Sequence, residues 1–411
     1  MTKTSISIPN LVDPNTYAEH DMSEVWRRLR SEDPVHWHPE TAAGPGFWVV
    51  SRHADIVQVL RDDTLFTSER GNVLTTLLQG GDVSAGRMLA VTDGAHHTEL
   101  RKLLLQAFGP RVLEDVGRRV RRTIRRLVGE AVERGECDFA QDVASFVPLE
   151  TICDLLNVPS ADRPKILQLT KTAMTSDETD TDEVVDRRAR NEIIVYFSYL
   201  LDERRKTPGT DPISLMAAAK FDGKYMPDED IILNCYSLIL GGNQTTRLTM
   251  IGALHALIHH PGQWRALKDG SVSLASACEE VLRWTSPAMH FGRVAVRDTE
   301  LCGKPIAAGD PVTLWFSSAN RDEAEFTEPD QFDLGRSPNK HLSFGYGRHF
   351  CIGAYLGRME ITAMLDGLRT FVSNVEQTAS ERWIYSNFLS GMSSLPVAME
   401  ADPAGPDRWQ E

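Results

Sequence analysis

The sequence predicts a mainly α-helical fold with a minor β portion, organised as one domain over residues 1–411. Apolar residues recur with the helical period of about 3.6 in most of the chain from His97 onward. Strand-like alternation and turn signals are confined mainly to 30–60, 292–316 and 383–400. No internal repeat or low-complexity tract divides the chain. With 41% hydrophobic and 25% charged residues, it can bury a large core.

The first part of the chain mixes short apolar runs with turn signals. Residues 46–50 (Gly-Phe-Trp-Val-Val) favour a strand, and residues 54–60 favour a short helix. Residues 67–88 are rich in Gly, Ser and Thr and predict a long loop. Long loops inside compact domains are often functional, so this one is a candidate for covering a site.

Longer segments with helical periodicity follow. They are 98–107, 111–134, 142–156, a segment from Ser160 or Asp162 to about Met174, one ending near Arg205, 228–260 and 352–371. The longest starts after Pro227, with Asp228 as its predicted N-cap, and ends before Pro261. Because it is apolar on most sides, it should cross the interior, and its polar residues 243–246 need an explanation.

The charge balance argues against some classes of partner. The chain has 44 Lys plus Arg and 58 Asp plus Glu, a net charge of −14, which disfavours nucleic acid or an anionic membrane surface. The first ten residues are polar and carry no signal-peptide core, and no run of about 18 apolar residues predicts a membrane span. The six cysteines are scattered without a CxxC pair, which suits the reducing cytoplasm and not a disulfide framework or a zinc site.

One cysteine stands out because a glycine-rich loop presents it directly before a helix. The stretch from Phe344 to Gly353 is FGYGRHFCIG. Gly345 and Gly347 can adopt positive φ and turn backbone N–H groups toward the Cys351 sulfur. The positive end of the following helix favours a thiolate, and Gly353 leaves space for a flat macrocycle. These residues predict an anionic sulfur that can bind iron, whereas a buried structural role is expected for the other five cysteines.

This stretch resembles the haem-binding signature of the cytochrome P450 family, and the similarity extends over nearly the whole chain. The resemblance implies a triangular-prism fold, with haem b (iron protoporphyrin IX) between the long helix and the Cys351 loop. It makes Cys351 the axial ligand of the iron and Phe344, Gly345 and Gly353 contacts of the haem.

A pair of opposite charges lies about seventy residues before the cysteine loop. Glu280 and Arg283 are three apart on a helical stretch, so they share a face and can pair. An isolated pair of this kind is usually a solvated surface contact of little energy. The position is similar to the family's Glu-x-x-Arg pair, and the resemblance adds Arg336 to form a buried cluster that supports the fold.

Four cations match positions that bind haem propionates in the family. His97 and Arg101 are four apart on one helical face, which suits a shared anionic target. The resemblance joins them with Arg293 and His349 as ligands of the two propionates. His96 is expected to be an ordinary surface residue.

The polar stretch inside the long helix contains Gly241, Gly242, Gln244 and Thr245. Adjacent glycines cost about 1 kcal/mol each in a helix interior. They predict either a kink or notch that admits dioxygen, or a packing notch with the threonines bonded to preceding carbonyls. By resemblance, Thr245 bonds the bound oxygen or a water and helps to deliver protons, and these four residues form the catalytic turn.

Gln244 departs from the family, in which the residue before the threonine is commonly acidic. A carboxamide orients water but does not gain and lose a proton near neutral pH. Proton delivery is therefore expected to rely on Thr245 with water, or on a polar group of the substrate. Chemistry that needs less proton relay, such as radical coupling or desaturation, is an alternative.

The resemblance also implies a substrate pocket with mostly apolar walls and a few polar groups that fix orientation. Its predicted lining residues are Leu74, Leu77, Met88, Met174, Asn243, Met289, His290, Phe291, Leu389 and Met392. Asn243 and His290 are the polar ones among them. A histidine at such a position is as often a core residue as a substrate contact.

The expected function is O₂ activation for oxidation of a small organic molecule, as in the tailoring of secondary metabolites. Hydroxylation or epoxidation is expected, with oxidative coupling open because of Gln244. No flavin or iron–sulfur segment is visible, so electrons should come from NAD(P)H through a ferredoxin and a ferredoxin reductase. An acidic ferredoxin could dock on Lys102, Arg348 and Arg358. A peroxygenase that uses H₂O₂, or a haem-binding sensor or carrier without turnover, are the alternatives.

Overall fold

The computed structural model describes residues 7–19, 21–173, 183–405 and 409. Helices dominate and strands are few, so the predicted mainly α fold with a minor β portion is confirmed. The α-helices are α1 (Asn15–Glu19), α2 (Met22–Glu32), α3 (His53–Arg61), α4 (Leu74–Leu78), α5 (Gly94–Leu105), α6 (Pro110–Arg134), α7 (Val147–Leu155), α8 (Arg163–Ala173), α9 (Glu183–Lys206), α10 (Pro212–Ala218), α11 (Asp228–His259), α12 (Pro261–Asp269), α13 (Leu274–Thr285), α14 (Phe316–Ala319) and α15 (Ala354–Phe371).

The strands are short. They are β1 (Val35–His38), β2 (Phe47–Val50), β3 (Phe66–Thr67), β4 (Glu136–Asp138), β5 (Lys220–Phe221), β6 (Lys224–Tyr225), β7 (His290–Ala295), β8 (Thr299–Leu301), β9 (Lys304–Ile306), β10 (Pro311–Trp315), β11 (Val372–Gln377), β12 (Arg382–Trp383), β13 (Met392–Ser394) and β14 (Pro396–Ala401).

The largest sheet joins the first part of the chain to residues 290–315, with strand order β1-β2-β10-β7-β3. Strands β2 and β10 are parallel, and the other neighbours are antiparallel. All of β10 is buried, as expected of a strand covered on both faces. Strand β7 lies between β10 and β3, so the sheet fixes the positions of His290 and Arg293.

A second sheet, with order β11-β14-β4, unites the C-terminal strands with residues 136–138. It begins at Val372 directly after α15, earlier than the predicted residue 383. The pairs β5–β6, β8–β9 and β12–β13 are separate two-stranded ribbons.

Helix α11 has 32 residues, which corresponds to about 48 Å, and it packs against α7, α9, α13 and α15. Its predicted extent is confirmed, although Pro227 is the cap and Asp228 the first helical residue. Three acidic residues in its first turn, 228–230, complement the positive end of the helix.

Two apolar cores meet along this helix. Ile231, Cys235 and Ile239 belong to a core shared with α7, α8 and α9. Residues 250–257 contribute to a second core with α6, α13 and α15. The polar residues 241–247 lie between the two cores, so the catalytic turn predicted from the sequence sits where α11 passes from one to the other.

Several local predictions are corrected. The stretch 67–88 is not all loop, because Leu74, Leu77 and Leu78 form the buried face of the short helix α4. The predicted helix 142–156 is divided into a π-helical turn at 140–144 and α7. Pro148 has no N–H to continue helical bonding to the preceding turn, which accounts for the division.

Strands also occur outside the predicted regions, at β3, β4, β5 and β6, each of two or three residues. Within the described residues, no helix is both long and apolar enough to span a membrane.

Candidate active site

The cysteine loop is shaped by two glycines in the left-handed region. Gly345 has φ of 70° and Gly347 has φ of 72°, conformations that other residues rarely adopt. A Cβ atom at Gly347 would lie 2.6 Å from the Leu60 carbonyl oxygen, so the close approach to α3 also requires glycine. The Cys351 N–H donates to the Phe344 carbonyl at 2.9 Å, which closes the loop just before α15.

Cys351 has exposed surface although many protein atoms surround its sulfur, as expected of a residue that lines a concavity. Burial raises the pKa of the thiol. The Gly353 N–H and the positive charges of Arg101 and Arg358 act in the opposite direction. Without a bound metal the Cys351 sulfur therefore keeps its proton. The Gly353 N–H and the two arginines would stabilise the thiolate once a metal cation replaces that proton.

Arg101 and Arg293 are two of the predicted propionate ligands. Arg293 is 5% exposed, and among the described residues its side chain donates only to the neighbouring Gly292 carbonyl, from Nη1 at 2.7 Å. Burial lowers the pKa of Arg293 to about 10 and also lowers that of the half-buried Arg101. Within the described residues, neither guanidinium group forms an ion pair with a carboxylate. The carboxylates of Asp93 and Asp63 act on Arg293 only from beyond ion-pair distance. A buried cation without a directly bonded anion is costly, so both sites can accept an anion from outside the chain.

His97 lies beside them on α5 and is also unsatisfied. It is 2% exposed, and its Nε2 has no hydrogen-bond partner among the described residues. Burial, followed by the nearby His349 and Arg101, lowers the pKa of His97 to about 4. A neutral His97 whose Nε2 is free can hydrogen-bond a carboxylate or carboxylic acid.

His349 is placed differently from the other predicted propionate ligands. Its ring lies 4.3 Å from that of His97, but its Nε2 donates to the Asp93 carboxylate at 2.7 Å. Burial raises the pKa of Asp93, but hydrogen bonds from His349, Thr67 and the Ser68 N–H outweigh this and lower it to about 2. His349 therefore already has an anionic partner within the chain.

These residues fit a haem. Two unpaired guanidinium groups and a free imidazole nitrogen match its two carboxylates, and an enclosed cysteine sulfur matches its iron. Phe344 lies at the start of the cysteine loop, with Arg358 4.6 Å from the centre of its ring. A Cβ atom at Gly353 would stand 3.9 Å from the Cys351 sulfur, so the glycine keeps the surface beside the sulfur open.

The adjacent glycines of α11 have different surroundings. Gly241 is exposed, and a Cβ atom there would meet nothing within 4 Å. A Cβ atom at Gly242 would lie 3.3 Å from Ile152 Cδ1, so Gly242 allows α7 to pack closely. The helix continues through both residues, and the Thr245 hydroxyl donates to the Gly241 carbonyl at 3.2 Å. Gly241 therefore leaves open space on the surface of α11, whereas Gly242 allows α7 to pack closely. The sequence left open a notch for dioxygen or a packing notch, and the first description fits Gly241 and the second fits Gly242.

Asn243 does not share the face of Gly241 and Thr245, whereas Gln244, about 60° from Gly241, lies at the edge of that face. At about 100° per residue, Thr245 lies about 40° from Gly241, whereas Asn243 lies about 200° away. Asn243 is 5% exposed, and its Oδ1 has no partner among the described residues. Gln244 Oε1 accepts a hydrogen bond from Arg247 Nη1 at 3.1 Å in a buried setting. Asn243 therefore points away from the open face, which argues against its predicted contact with substrate.

Most of the other predicted pocket residues come together from three segments. Leu74 and Leu77 are on α4, and Leu77 packs directly over Gly292 of β7. The Met289 N–H donates to the Phe388 carbonyl, and Ala288 forms an isolated β-bridge with Leu389. Phe291 packs edge-on against Phe388, with 5.6 Å between the ring centres. Phe388, which the sequence reasoning did not single out, connects these segments.

His290 anchors α4. It is fully buried, its Nε2 accepts the Leu74 N–H at 3.2 Å, and its ring packs 4.5 Å from that of Trp315. Burial lowers the pKa of His290 to about 3, so the ring is neutral and carries its proton on Nδ1. The bond to Leu74 gives His290 a structural role, but its Nδ1 has no hydrogen-bond partner among the described residues. Its contact with substrate therefore stays a prediction.

The last three predicted pocket residues are methionines outside these three segments. Met88 directly precedes the 3₁₀ turn 89–91. Met392 is 2% exposed and belongs to the core of α6, α13 and α15. Met174 lies outside the described residues.

The Glu280 carboxylate is the centre of a buried polar cluster. Arg283 donates to it through Nε at 2.7 Å and Nη2 at 2.8 Å, and both side chains are fully buried. Arg336 donates to it at 3.1 Å. Arg283 also donates to the carbonyls of Asn320 and Pro329. The cluster therefore ties α13 to the loop that leads into the cysteine loop.

The chain resembles known proteins over nearly its full length. Residues 273–394 match the family described as Cytochrome P450. The chain is 49% identical over 388 residues to cytochrome P450 NovI of Streptomyces niveus, which covers 94% of this chain and 95% of that protein. It is 32% identical over 401 residues to linalool 8-monooxygenase of Pseudomonas putida, covering 95% and 98%. The crystal structure of P450 OxyD superposes with a TM-score of 0.89 at 36% identity, covering 96% and 100%. These similarities agree with the geometry around Cys351, and the chain belongs to the cytochrome P450 family of haem-dependent monooxygenases.

Proposed function

We propose that this monooxygenase binds haem b through Cys351 and oxidises a small organic molecule in the tailoring of a secondary metabolite. The observation that carries the haem assignment is the Cys351 sulfur near Arg101, together with the buried Arg293, because neither guanidinium group forms an ion pair with a carboxylate among the described residues. The metabolic role is supported by relatives. OxyD is described as involved in the biosynthesis of vancomycin-type antibiotics, and NovI comes from a Streptomyces species.

In the proposed site, the Cys351 sulfur binds the iron, while Arg101 and Arg293 bind the propionates with the help of His97 Nε2. Bound haem would supply the O₂-activating chemistry, and the Cys351 thiolate would donate electron density to it. The open surface at Gly241 leaves room for a small ligand beside Thr245. The pocket segments α4, 288–291 and 388–389 then orient the substrate with largely apolar contacts.

Thr245 is the residue proposed to manage protons. Its hydroxyl donates to the Gly241 carbonyl at the long distance of 3.2 Å, so it can rotate to hold a water or a polar group of the substrate. Gln244 is turned to Arg247 and contributes no titratable group. We therefore assign proton delivery to Thr245 with water or substrate, and hydroxylation or epoxidation as the reaction. Oxidative coupling, which needs less proton relay, is the alternative.

Electrons are proposed to come from a ferredoxin and its NAD(P)H-dependent reductase. Of the three cations expected to receive the ferredoxin, Lys102 is exposed and Arg348 is 59% exposed with Asp63 at 3.2 Å. Arg358 instead donates to Glu279 at 2.6 and 2.9 Å, so its charge is largely neutralised. Arg348 is also paired, with Asp63, but most of its side chain is exposed, so Lys102 and, to a lesser extent, Arg348 carry the proposed electrostatic attraction.

The first experiment is the optical spectrum of the dithionite-reduced protein with carbon monoxide. We expect a far-red-shifted Soret band in the wild type and its loss in a folded Cys351→Ala variant. A band at the position of histidine-ligated haem in the wild type would contradict thiolate ligation. Failure of reconstituted wild type to retain any haem would contradict the haem site itself.

The second experiment tests turnover with a surrogate ferredoxin and reductase and a panel of candidate small molecules. Substrate-dependent consumption of NAD(P)H and O₂ with formation of an oxidised product is expected. Equal product formation from H₂O₂ alone would favour a peroxygenase. Tight binding of a compound without turnover would favour a sensor or carrier.

A further inference from the structure

The two ends of the segment 68–92 meet at Thr67, Ser68 and Asp93, here called its neck, and one carboxylate holds them together. Asp93 Oδ2 accepts hydrogen bonds from the Thr67 hydroxyl at 2.6 Å and from the Ser68 N–H at 2.7 Å. The Asp93 N–H in turn donates to Glu69 at 3.1 Å. The residues before and after the segment are therefore held together, and the segment between them carries α4 and the 3₁₀ turn 89–91.

The same carboxylate also reaches the cysteine loop. Asp93 Oδ1 accepts a hydrogen bond from His349 Nε2 at 2.7 Å, and the Ser68 hydroxyl lies 3.3 Å from the same nitrogen. His349 precedes Cys351 by two residues. One side chain thus joins the neck of a segment that lines the pocket to the loop that carries the iron ligand, across 256 positions of sequence.

Asp93 is not needed to start its own helix. It occupies the cap position of α5, but its side chain accepts no hydrogen bond from the N–H groups of the first turn. The side chains of Asp93 and His349 are only 12% and 13% exposed, so water weakens their interaction little. The hydrogen bonds of the Asp93 side chain therefore join the segment 68–92 to the cysteine loop and do not serve to cap α5.

Other contacts hold the segment elsewhere but do not reach the cysteine loop. The Leu74 N–H donates to His290, and the Gly292 N–H donates to the Asn72 carbonyl. At the far end, Arg87 donates to Asp230 of α11 at 2.7 Å. Breaking the bonds of Asp93 would therefore leave the segment attached to the sheet and to α11, while detaching its neck from the cysteine loop.

We propose that Asp93 is a positioning residue that couples the segment 68–92 to the cysteine loop. Opening of the segment and release of haem would then both require the hydrogen bonds of the Asp93 side chain to break. The proposal rests on the haem site and on no particular substrate or reaction. It can therefore fail while the proposed monooxygenase activity stands.

The test compares haem-loaded wild type with Asp93→Asn. Haem loss is measured by transfer to excess apomyoglobin, and opening by hydrogen–deuterium exchange of amides in 68–92 and 344–350. Because an amide weakens charge-assisted bonds, we expect haem loss about tenfold faster and faster exchange in both segments. Thr67→Val is the matched control, since it removes one bond to Oδ2 and leaves His349 in place. It should speed exchange near residue 67 with little change in haem loss.

A second variant, Asp93→Ser, keeps a residue that is favoured at helix starts but cannot reach all three partners. If Asp93→Asn folds poorly, Asp93→Ser takes its place in the test and should show the same faster haem loss and faster exchange. Unchanged haem loss in a folded variant at position 93 would overturn the proposal. Faster exchange confined to 68–92, with residues 344–350 and haem loss as in the wild type, would also overturn it.

Discussion

Gln244 and Arg247 are joined by a hydrogen bond of 3.1 Å between the carboxamide oxygen and the guanidinium one helical turn later. Both residues are 7% exposed, so the contact is well shielded from water. An acidic residue at position 244 would meet the same guanidinium and form a buried ion pair. Its carboxylate would be held ionised and would not exchange protons freely.

We therefore expect Gln244→Glu to change the coupling of turnover little, by less than about twofold, because Arg247 would hold the new carboxylate. Thr245→Val should increase the peroxide released per NAD(P)H consumed by about tenfold or more, since it removes the hydroxyl from the open face. The measurement is the ratio of peroxide to NAD(P)H in the reconstituted system. A marked fall in peroxide with Gln244→Glu would instead place residue 244 in the proton relay.

Gly241 and Gly242 allow a matched pair of substitutions. Gly241→Ala should stabilise the folded protein by up to about 1 kcal/mol, because alanine favours the helix and meets no neighbour. The new methyl group would occupy the open face beside Thr245, so imidazole should bind the ferric protein more weakly. Gly242→Ala should leave imidazole binding unchanged and gain less stability, since Ile152 lies 3.3 Å away. Unfolding curves and optical titrations measure both effects, and equal imidazole affinity in the two variants would refute the assigned faces.

The neighbouring residues Glu279 and Glu280 provide a second matched pair. Glu280→Gln leaves the fully buried Arg283 without its counter-ion, so we expect a loss of about 3–5 kcal/mol in the free energy of unfolding. Glu279→Gln breaks a partly exposed pair with Arg358 and should cost about 1 kcal/mol or less. Denaturant unfolding of the haem-loaded proteins measures both. Similar losses in the two variants would show that burial does not set the energy of the Glu280 cluster.

Glu360 should make stability depend on pH. It is 2% exposed on α15 and its Oε1 has no partner among the described residues. Burial raises its pKa from 4.5 to about 8, although a hydrogen bond with Thr151 acts in the opposite direction. Between these values the unfolded chain has released the proton and the folded chain retains it, so this group lowers the free energy of unfolding as pH rises.

Glu360→Gln is uncharged at every pH and should remove this contribution. The variant should gain stability relative to the wild type between pH 4.5 and 8, by at most about 5 kcal/mol at the upper end. Denaturant unfolding at several pH values measures the difference. A constant difference across the window would show that Glu360 is ionised in the folded protein. Glu279 is a control with a different window, because the hydrogen bonds of His341 and Arg358 outweigh burial and lower its pKa to about 2. Its stabilising contribution should be constant between pH 4.5 and 8 and should be lost as pH falls from 4.5 toward 2.

The features predicted well from the sequence are those encoded locally. The periodicity of 228–260 gave the extent of α11 almost to the residue, because apolar side chains cover most of its sides. The glycines before Cys351 predicted a turn with positive φ, which the structure contains. The rotation of the helix was also available from the sequence, and it would have separated Asn243 from the face of Thr245.

Features that depend on distant pairing could not be predicted in this way. Strands such as β3 have only two residues, too few for a recognisable pattern in the sequence. Residues 66–67 form a strand because they pair with β7. Likewise nothing near Asp93 indicates that it binds His349, and nothing near Arg358 indicates that Glu279 neutralises it. Helix α4 was missed because one helical turn between glycine-rich stretches shows too little periodicity.

The unpaired guanidinium groups of Arg101 and Arg293 also affect how this protein matures. In the unfolded chain both are hydrated, whereas folding without an anion leaves Arg293 desolvated. Haem binds the folded chain and so raises its stability by mass action. In an expression host that synthesises the polypeptide faster than porphyrin, newly made chains would unfold more readily and be degraded. The yield of intact enzyme is then set by the supply of cofactor as much as by the rate of translation.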